Sequence, residues 1–336
     1  MMIMIASAIV LGGQWAGTHA WTEESGPAPR EHAAVLGVDD DLVVFAGSGY
    51  SPQMAPMRDA WRYDTGTQAW SEMKVEGDLP SEGGSVRPVR VSENEWLLFG
   101  GYNGSFACAN TLTRATIEGD TLVLDAVEQR NAPPGRALHA FGYDPGSQQL
   151  VVFGGVSNEG MRAGTWIAKL VEGVYVWEQV ETETAPSARF GMSFGLDETH
   201  GQLIVASGQD SATQMQMSDE VWALDLRARP PAWSKIGSVP GSNAVRNPCF
   251  AWDEERSSLW VWCGTADGRS NAAGVVQVTI GDDTAEITRH ERDDEPQRRS
   301  SGQGVVMPDG RVWFGFGNHA GGAMRDWVVW EPDAGE

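Results

Sequence analysis

Short apolar runs, each closed by a glycine, recur at a nearly constant interval along this chain. They are Val43-Val44-Phe45-Ala46-Gly47, Leu97-Leu98-Phe99-Gly100-Gly101 and Val151-Val152-Phe153-Gly154-Gly155, then the stretches Leu203 to Gly208, Leu259 to Gly264 and Val312 to Gly317. Successive closing glycines are 54, 54, 53, 56 and 53 residues apart. A fixed period of this size marks a repeat architecture in which each unit is one supersecondary module. Four strand-like runs fall in each period, separated by Gly, Asp, Ser and Pro turn chemistry. No stretch sustains a 3.6-residue apolar period, so helix should be scarce.

The surroundings of each glycine recur too. Upstream stands an arginine followed by small residues, as in Arg30-Glu31-His32-Ala33, Arg136-Ala137-Leu138-His139 and Arg189-Phe190-Gly191-Met192. Downstream comes an apolar segment with tryptophan, as in Asp59-Ala60-Trp61, Thr165-Trp166, Asp219-Glu220-Val221-Trp222 and Asp326-Trp327. A second tryptophan follows at Trp70, Trp177 and Trp233.

This pattern resembles the kelch repeat, and the likeness spans roughly residues 21 to 333. Unit two departs from it, with Gly83-Gly84-Ser85-Val86 where the arginine belongs; units five and six have Cys263-Gly264 and Phe316-Gly317 for the double glycine. The resemblance implies an all-β fold, a six-bladed kelch-type β-propeller with one four-stranded sheet per blade. The last unit ends one strand short, while Trp21-Thr22-Glu23 is an orphan strand at the other end. The propeller is therefore expected to be closed by this N-terminal strand, which protects a free sheet edge.

Residues 1–20 stand outside the repeat, and none of them is Asp, Glu, Lys or Arg. Met1 to Leu11 is mostly apolar and Thr18-His19-Ala20 offers small residues for cleavage, so 1–20 reads as a signal peptide and 21–336 as a single propeller domain. That places the chain with secreted bacterial kelch-repeat proteins, secreted or periplasmic. The formal net charge of −22 repels phosphate backbones and anionic lipid. Nucleic acid and membrane insertion are thus not expected, and a monomer is.

Of three cysteines, Cys249 and Cys263 bracket the hairpin of unit five; if it is symmetric about Arg256 they face each other and form a disulfide, leaving Cys108 outside the pair. No C-x-x-C spacing suggests zinc.

In a kelch propeller the loops entering the innermost strand, and those leaving the Gly-Gly strand, converge on one face. The resemblance thus gathers Arg30, Arg136, Arg189, Arg246 and Arg298 or Arg299 with Tyr50, Tyr102, Asn103, Asn158, Gln209, Asp210, Asp267, Asn318 and His319. A ring of guanidinium groups there would attract a carboxylate or sulfate; equally, an arginine that belongs to the repeat could be a structural tie. His32, Ser85, His139, Met192, Cys249 and Ser301 form a further column, in which His32 and His139 are weak metal candidates. No metal or other cofactor is expected, and no catalytic motif is recognisable. The primary reading is a binding module for a protein or glycan, with an anionic small molecule as a further ligand class. The alternative is a channel-mouth enzyme acting on a sugar acid, similar to sialate mutarotases; a metal-dependent kelch enzyme is weaker still.

Overall fold

The computed structural model describes residues 8–10, 12–49, 56–77, 83–102, 107–210, 215–268, 270–320 and 322–333. Among these, the one helical element is a 3-10 turn, Gly241–Asn243, and no helix is long and apolar enough to cross a membrane. Everything else regular is strand.

Most strands form six four-stranded antiparallel units, five of them in chain order. Ala8–Val10 and Gln129–Arg130 add parallel strands to the outer edges formed by Ala285–His290 and Val174–Val180. The outer strands Ala69–Gly77 and Thr121–Ala126 pair in parallel. Unit one is Ala34–Val38, Asp41–Phe45, Ala60–Asp64 and Ala69–Gly77; unit two is Arg87–Ser92, Glu95–Phe99, Leu112–Glu118 and Thr121–Ala126. Unit three is Ala140–Asp144, Gln149–Phe153, Thr165–Val171 and Val174–Val180; unit four is Ser193–Asp197, Gln202–Ala206, Glu220–Asp225 and Ala232–Ser238. Unit five is Cys249–Asp253, Ser258–Trp262, Val275–Ile280 and Ala285–His290. Unit six takes Gln303–Val306, Val312–Gly315 and Asp326–Glu331 from the C-terminal end and Gln14–Ala20 from the N-terminal end. The first strand of every unit packs against the first strands of both neighbours, and unit six against unit one closes the ring.

The apolar runs are continuous because their strands are buried on both faces. Val43 and Phe45 pack toward unit two, while Leu42 and Val44 pack toward unit six. Six hydrophobic clusters result, one between each pair of neighbouring units. The double glycine has its own cause. Both the closing glycine and the residue before it have positive φ in every unit, from +55° at Ala46 to +109° at Gly101. Glycine adopts that region without the strain other residues incur.

Three expectations need correcting. The closing strand is Gln14–Ala20, not Trp21–Glu23. Its side chains alternate between exposed and half-buried, and Trp15 lies directly opposite Trp330, against which its ring packs edge-on at 5.2 Å. Trp21 follows the strand and adds one bond to the same edge, its amide donating to the Arg325 carbonyl at 3.2 Å, while its indole N–H donates to the Pro27 carbonyl at 2.9 Å. The boundary expected after residue 20 gives way for the same reason, since the propeller includes Gln14.

The disulfide is the third. Cys249 pairs in register with Trp262 rather than Cys263, so the hairpin turns half a residue earlier than symmetry about Arg256 requires. None of the three cysteines forms a disulfide; burial pushes the Cys249 thiol up to about 12.

Candidate functional site

The recurrent arginine is a structural tie. Arg30, Arg136, Arg189 and Arg299 are all buried. Each donates through Nε to the carbonyl two residues before it, and through Nη1 to the carbonyl of the left-handed residue that ends the second strand. Three also meet a carboxylate within their own unit: Arg30 with Asp59, Arg189 with Glu220 and Arg299 with Asp326, at 2.6–2.9 Å. Arg30 and Arg189 therefore do not face the mouth. Arg136 has no such carboxylate among the described residues, and burial lowers it to about 10. Arg298 is corrected in favour of Arg299: it is exposed and paired with Glu295 in a charged groove away from the axis.

Arg246 belongs to a different column. The residue after the tie pairs with the residue after the closing glycine in every unit: Glu31 with Ser48, Gly84 with Tyr102, Ala137 with Val156, Phe190 with Gln209, Arg246 with Thr265 and Ser300 with Asn318. The tie's own place in unit five is held by Val245, whose carbonyl accepts from Gly208 as those of Arg136 and Arg189 accept from Gly101 and Gly155. One residue further on lie His32, Ser85, Leu138, Gly191, Asn247 and Ser301, all with positive φ. Their backbones are linked in sequence: His32 donates to Ser301, Ser301 to Asn247, Asn247 to Gly191 and Gly191 to Leu138, at 2.7–2.9 Å. These two columns build the channel mouth.

A cavity of about 360 Å³ opens there, lined by residues of all six units. Its polar groups are Glu31, His32, Tyr102, Cys108, Ser157, Arg246, Asn247 and Ser301; Ala137, Leu138, Val156 and Phe190 supply apolar wall. Arg246 donates to Gln209 Oε1 at 2.6 Å and lies over the Phe190 ring, 5.9 Å from its centroid. It has no carboxylate partner among the described residues. Burial raises the Glu31 carboxyl, although Asn318 Nδ2 donates to it at 2.5 Å. Burial, with the nearby Arg87 charge, lowers His32 to about 3, so its ring is neutral.

Arg87 crosses the channel below the mouth. Its guanidinium carbon lies 5.6 Å from the Phe194 centroid and 5.9 Å from that of Phe250, in units four and five. Burial lowers it to about 10, and its Nε has no hydrogen-bond partner among the described residues. Among the described residues, two guanidiniums and one carboxylate thus serve this axis, against a net charge of −22 for the chain.

Of the remaining expected residues, Tyr102 lines the cavity. Asn158 and Asp267 are exposed in loops, Asp210 is half-buried, and His319 is half-buried with Nδ1 at 2.7 Å from the Arg298 carbonyl; none lines it. Tyr50 and Asn103 lie outside the described residues. The metal pair does not meet: His32 is at the mouth, whereas His139 is fully buried against Phe99, 5.5 Å between centroids. No group of three or more metal-ligating side chains occurs among the described residues. Glu31, Asn247 and Arg87 were not singled out from sequence. Their only signal is position, since the repeat leaves side-chain type unconstrained there.

No family profile matches the chain. It is 24% identical over 217 residues to Adagio protein 3 of Arabidopsis thaliana, covering 63% of this chain and 34% of that protein. It is 30% identical over 161 residues to Adagio-like protein 3 of Oryza sativa subsp. japonica, covering 46% and 25%. The chain thus spans about a third or less of these relatives' length. Among solved structures it is similar to YjhT, with a TM-score of 0.62 at 15% identity over 77% of this chain and 84% of that one. Ring, repeat and likenesses agree, and the chain is a kelch-repeat β-propeller.

Proposed function

We propose that this propeller is a binding module whose channel mouth receives an anionic group of a glycan or protein ligand. The observation that carries this reading is the axial cavity with Arg246 on its wall and no carboxylate paired to it among the described residues. A concave, largely apolar site with a few convergent polar groups is the usual form of a ligand pocket. A guanidinium without an ion partner is suited to bidentate recognition of a carboxylate. Larger grooves of about 770 and 680 Å³ exist, but each is built on one side or end of the ring by fewer units. The test is a thermal-shift panel of sugar acids, neutral sugars and acidic peptides against the full chain and Arg246→Ala. Acidic ligands should stabilise the parent chain and not the variant; equal responses, or none, would end this reading.

Glu31 favours a second reading. A buried carboxyl with a raised pKa, in one cavity with Arg246, is placed for proton transfer on a bound sugar acid. Exchange between sugar-acid anomers followed by NMR, with Glu31→Gln as control, separates turnover from binding. Export belongs to the same proposal, with the condition that cleavage leave Gln14–Ala20 in place; N-terminal sequencing of secreted protein tests it.

A further inference from the structure

The repeat places a carboxylate beside the buried arginine in units one, four and six, and among the described residues unit three lacks it. In unit one Asp59 accepts from Arg30 Nη1 and Nη2, and its Oδ2 also accepts from Trp61 Nε1 at 2.7 Å. In unit four Glu220 accepts from Arg189 Nη2, from Trp222 Nε1 at 2.9 Å and from Lys235 Nζ at 3.1 Å. Lys235 stands directly across the sheet from Trp222.

Unit three retains the donors. Arg136 is 1% exposed and spends Nε and Nη1 on the carbonyls of Pro134 and Gly154, leaving Nη2 with no acceptor among the described residues. Trp166 holds the place of Trp61 and Trp222, and Gln179 stands across the sheet from it as Lys235 does from Trp222. Where Asp59 and Glu220 supply the acceptor, this unit has Gly164. A Cβ built on Gly164 would lie 3.0 Å from Gln179 Nε2 and 3.7 Å from Trp166 Nε1, so both nitrogens surround the position. Arg162, itself paired with Glu159 at 2.8 Å, lies near enough for Arg136 to feel its charge.

We propose that unit three binds a small carboxylate at Gly164, held by Arg136 Nη2, Trp166 Nε1 and Gln179 Nε2. The anion takes the place that Asp59 and Glu220 fill covalently elsewhere in the ring. Its hydrogen bonds are charge-assisted and its guanidinium donor is already fixed by two carbonyls, so little ordering opposes binding. This site is separate from the channel mouth and does not depend on the reading given for it.

Acetate is the probe. Titrated against the full chain at constant ionic strength, with chloride as reference, it should raise the melting temperature saturably and shift the Trp166 indole N–H resonance. Trp166→Phe should weaken acetate binding about tenfold through loss of one charge-assisted hydrogen bond. Gln179→Glu supplies a carboxylate from across the sheet; it should raise the melting temperature and abolish the acetate response. Acetate acting no differently from chloride on the parent chain would overturn the proposal, as would an unchanged response in both variants. The Trp166 indole resonance reports this position alone, so its shift with acetate is read apart from any binding at the mouth.

Discussion

The amide of Gly317 in unit six donates a 3.0 Å hydrogen bond to the carbonyl of Arg30 in unit one. Equivalent bonds run from Gly47 to Gly83, Gly101 to Arg136, Gly155 to Arg189, Gly208 to Val245 and Gly264 to Arg299. The closing glycine is therefore a junction between units, and the ring uses the same bond at its seam as everywhere else. What differs at the seam is the sheet, whose outer strand comes from Gln14–Ala20.

Removing residues 14–20 should leave the edge of Asp326–Glu331 unpaired, with Trp327 and Trp330 along it. An exposed apolar edge templates aggregation. A chain starting at Trp21 should thus aggregate and lose its cooperative melt, whereas one starting at Ala8, which keeps the strand covering Ala285–His290, should remain soluble. Light scattering during thermal melts distinguishes them, and a well-behaved chain from Trp21 would contradict this closure.

The two classes of arginine should separate by mutation. Arg299→Ala strands Asp326 beside a fully buried site and removes two ties to carbonyls. Breaking such a pair by removing one partner costs about 3 kcal/mol. Arg246→Ala, at the half-open mouth, should change the melting temperature little and remove the response to acidic ligands. Arg189→Ala should follow Arg299→Ala. Denaturant midpoints measured alongside ligand titrations read both effects.

This division explains how much was legible in the sequence. The tie arginines, the left-handed pair ending each second strand and the doubly buried runs obey backbone constraints repeated in most or all units. Their residue types therefore recur. The mouth is built from one position held by Glu31, Gly84, Ala137, Phe190, Arg246 and Ser300, where the ring asks only for a backbone pair. Function resides where the repeat is silent, so Arg246 was found only through a misplaced likeness to the ties and Glu31 was missed. Gln14–Ala20 was obscured because a strand with one face against unit six and one toward solvent carries few large apolar residues. The cysteine register failed by a single residue in a hairpin turn, where spacing alone does not fix the pairing.

Acid should destabilise the fold earlier than ordinary carboxylate titration implies. His32 is lowered from 6.5 to about 3 by burial and by Arg87, so the folded chain keeps it neutral. The unfolded chain binds the proton first, and stability falls as pH drops from 6.5 toward 3, at up to about 1.4 kcal/mol per pH unit. His139, also buried and lowered well below 6.5, adds in the same direction. His32→Gln should flatten part of this slope in melting temperatures taken between pH 7 and pH 4. An unchanged slope would mean that His32 is protonated without cost.

Cys108 offers a direct reporter of the mouth. It lines the cavity and is half-buried, whereas Cys249 and Cys263 are 0% and 2% exposed with their thiols held high by burial. The thiolate is the reactive form, so the two buried cysteines should resist alkylation until the chain unfolds. Native protein should therefore take up one equivalent of iodoacetamide, at Cys108, and three after denaturation without reductant. A ligand seated between Glu31, Tyr102 and Arg246 would cover the Cys108 sulfur and slow its alkylation in proportion to occupancy. Peptide mass mapping with and without the acidic ligand found by thermal shift measures both quantities. Fast alkylation of Cys108 at saturating ligand would place the binding site elsewhere on the ring, and a Cys249–Cys263 peptide would show that the hairpin register differs from the one described.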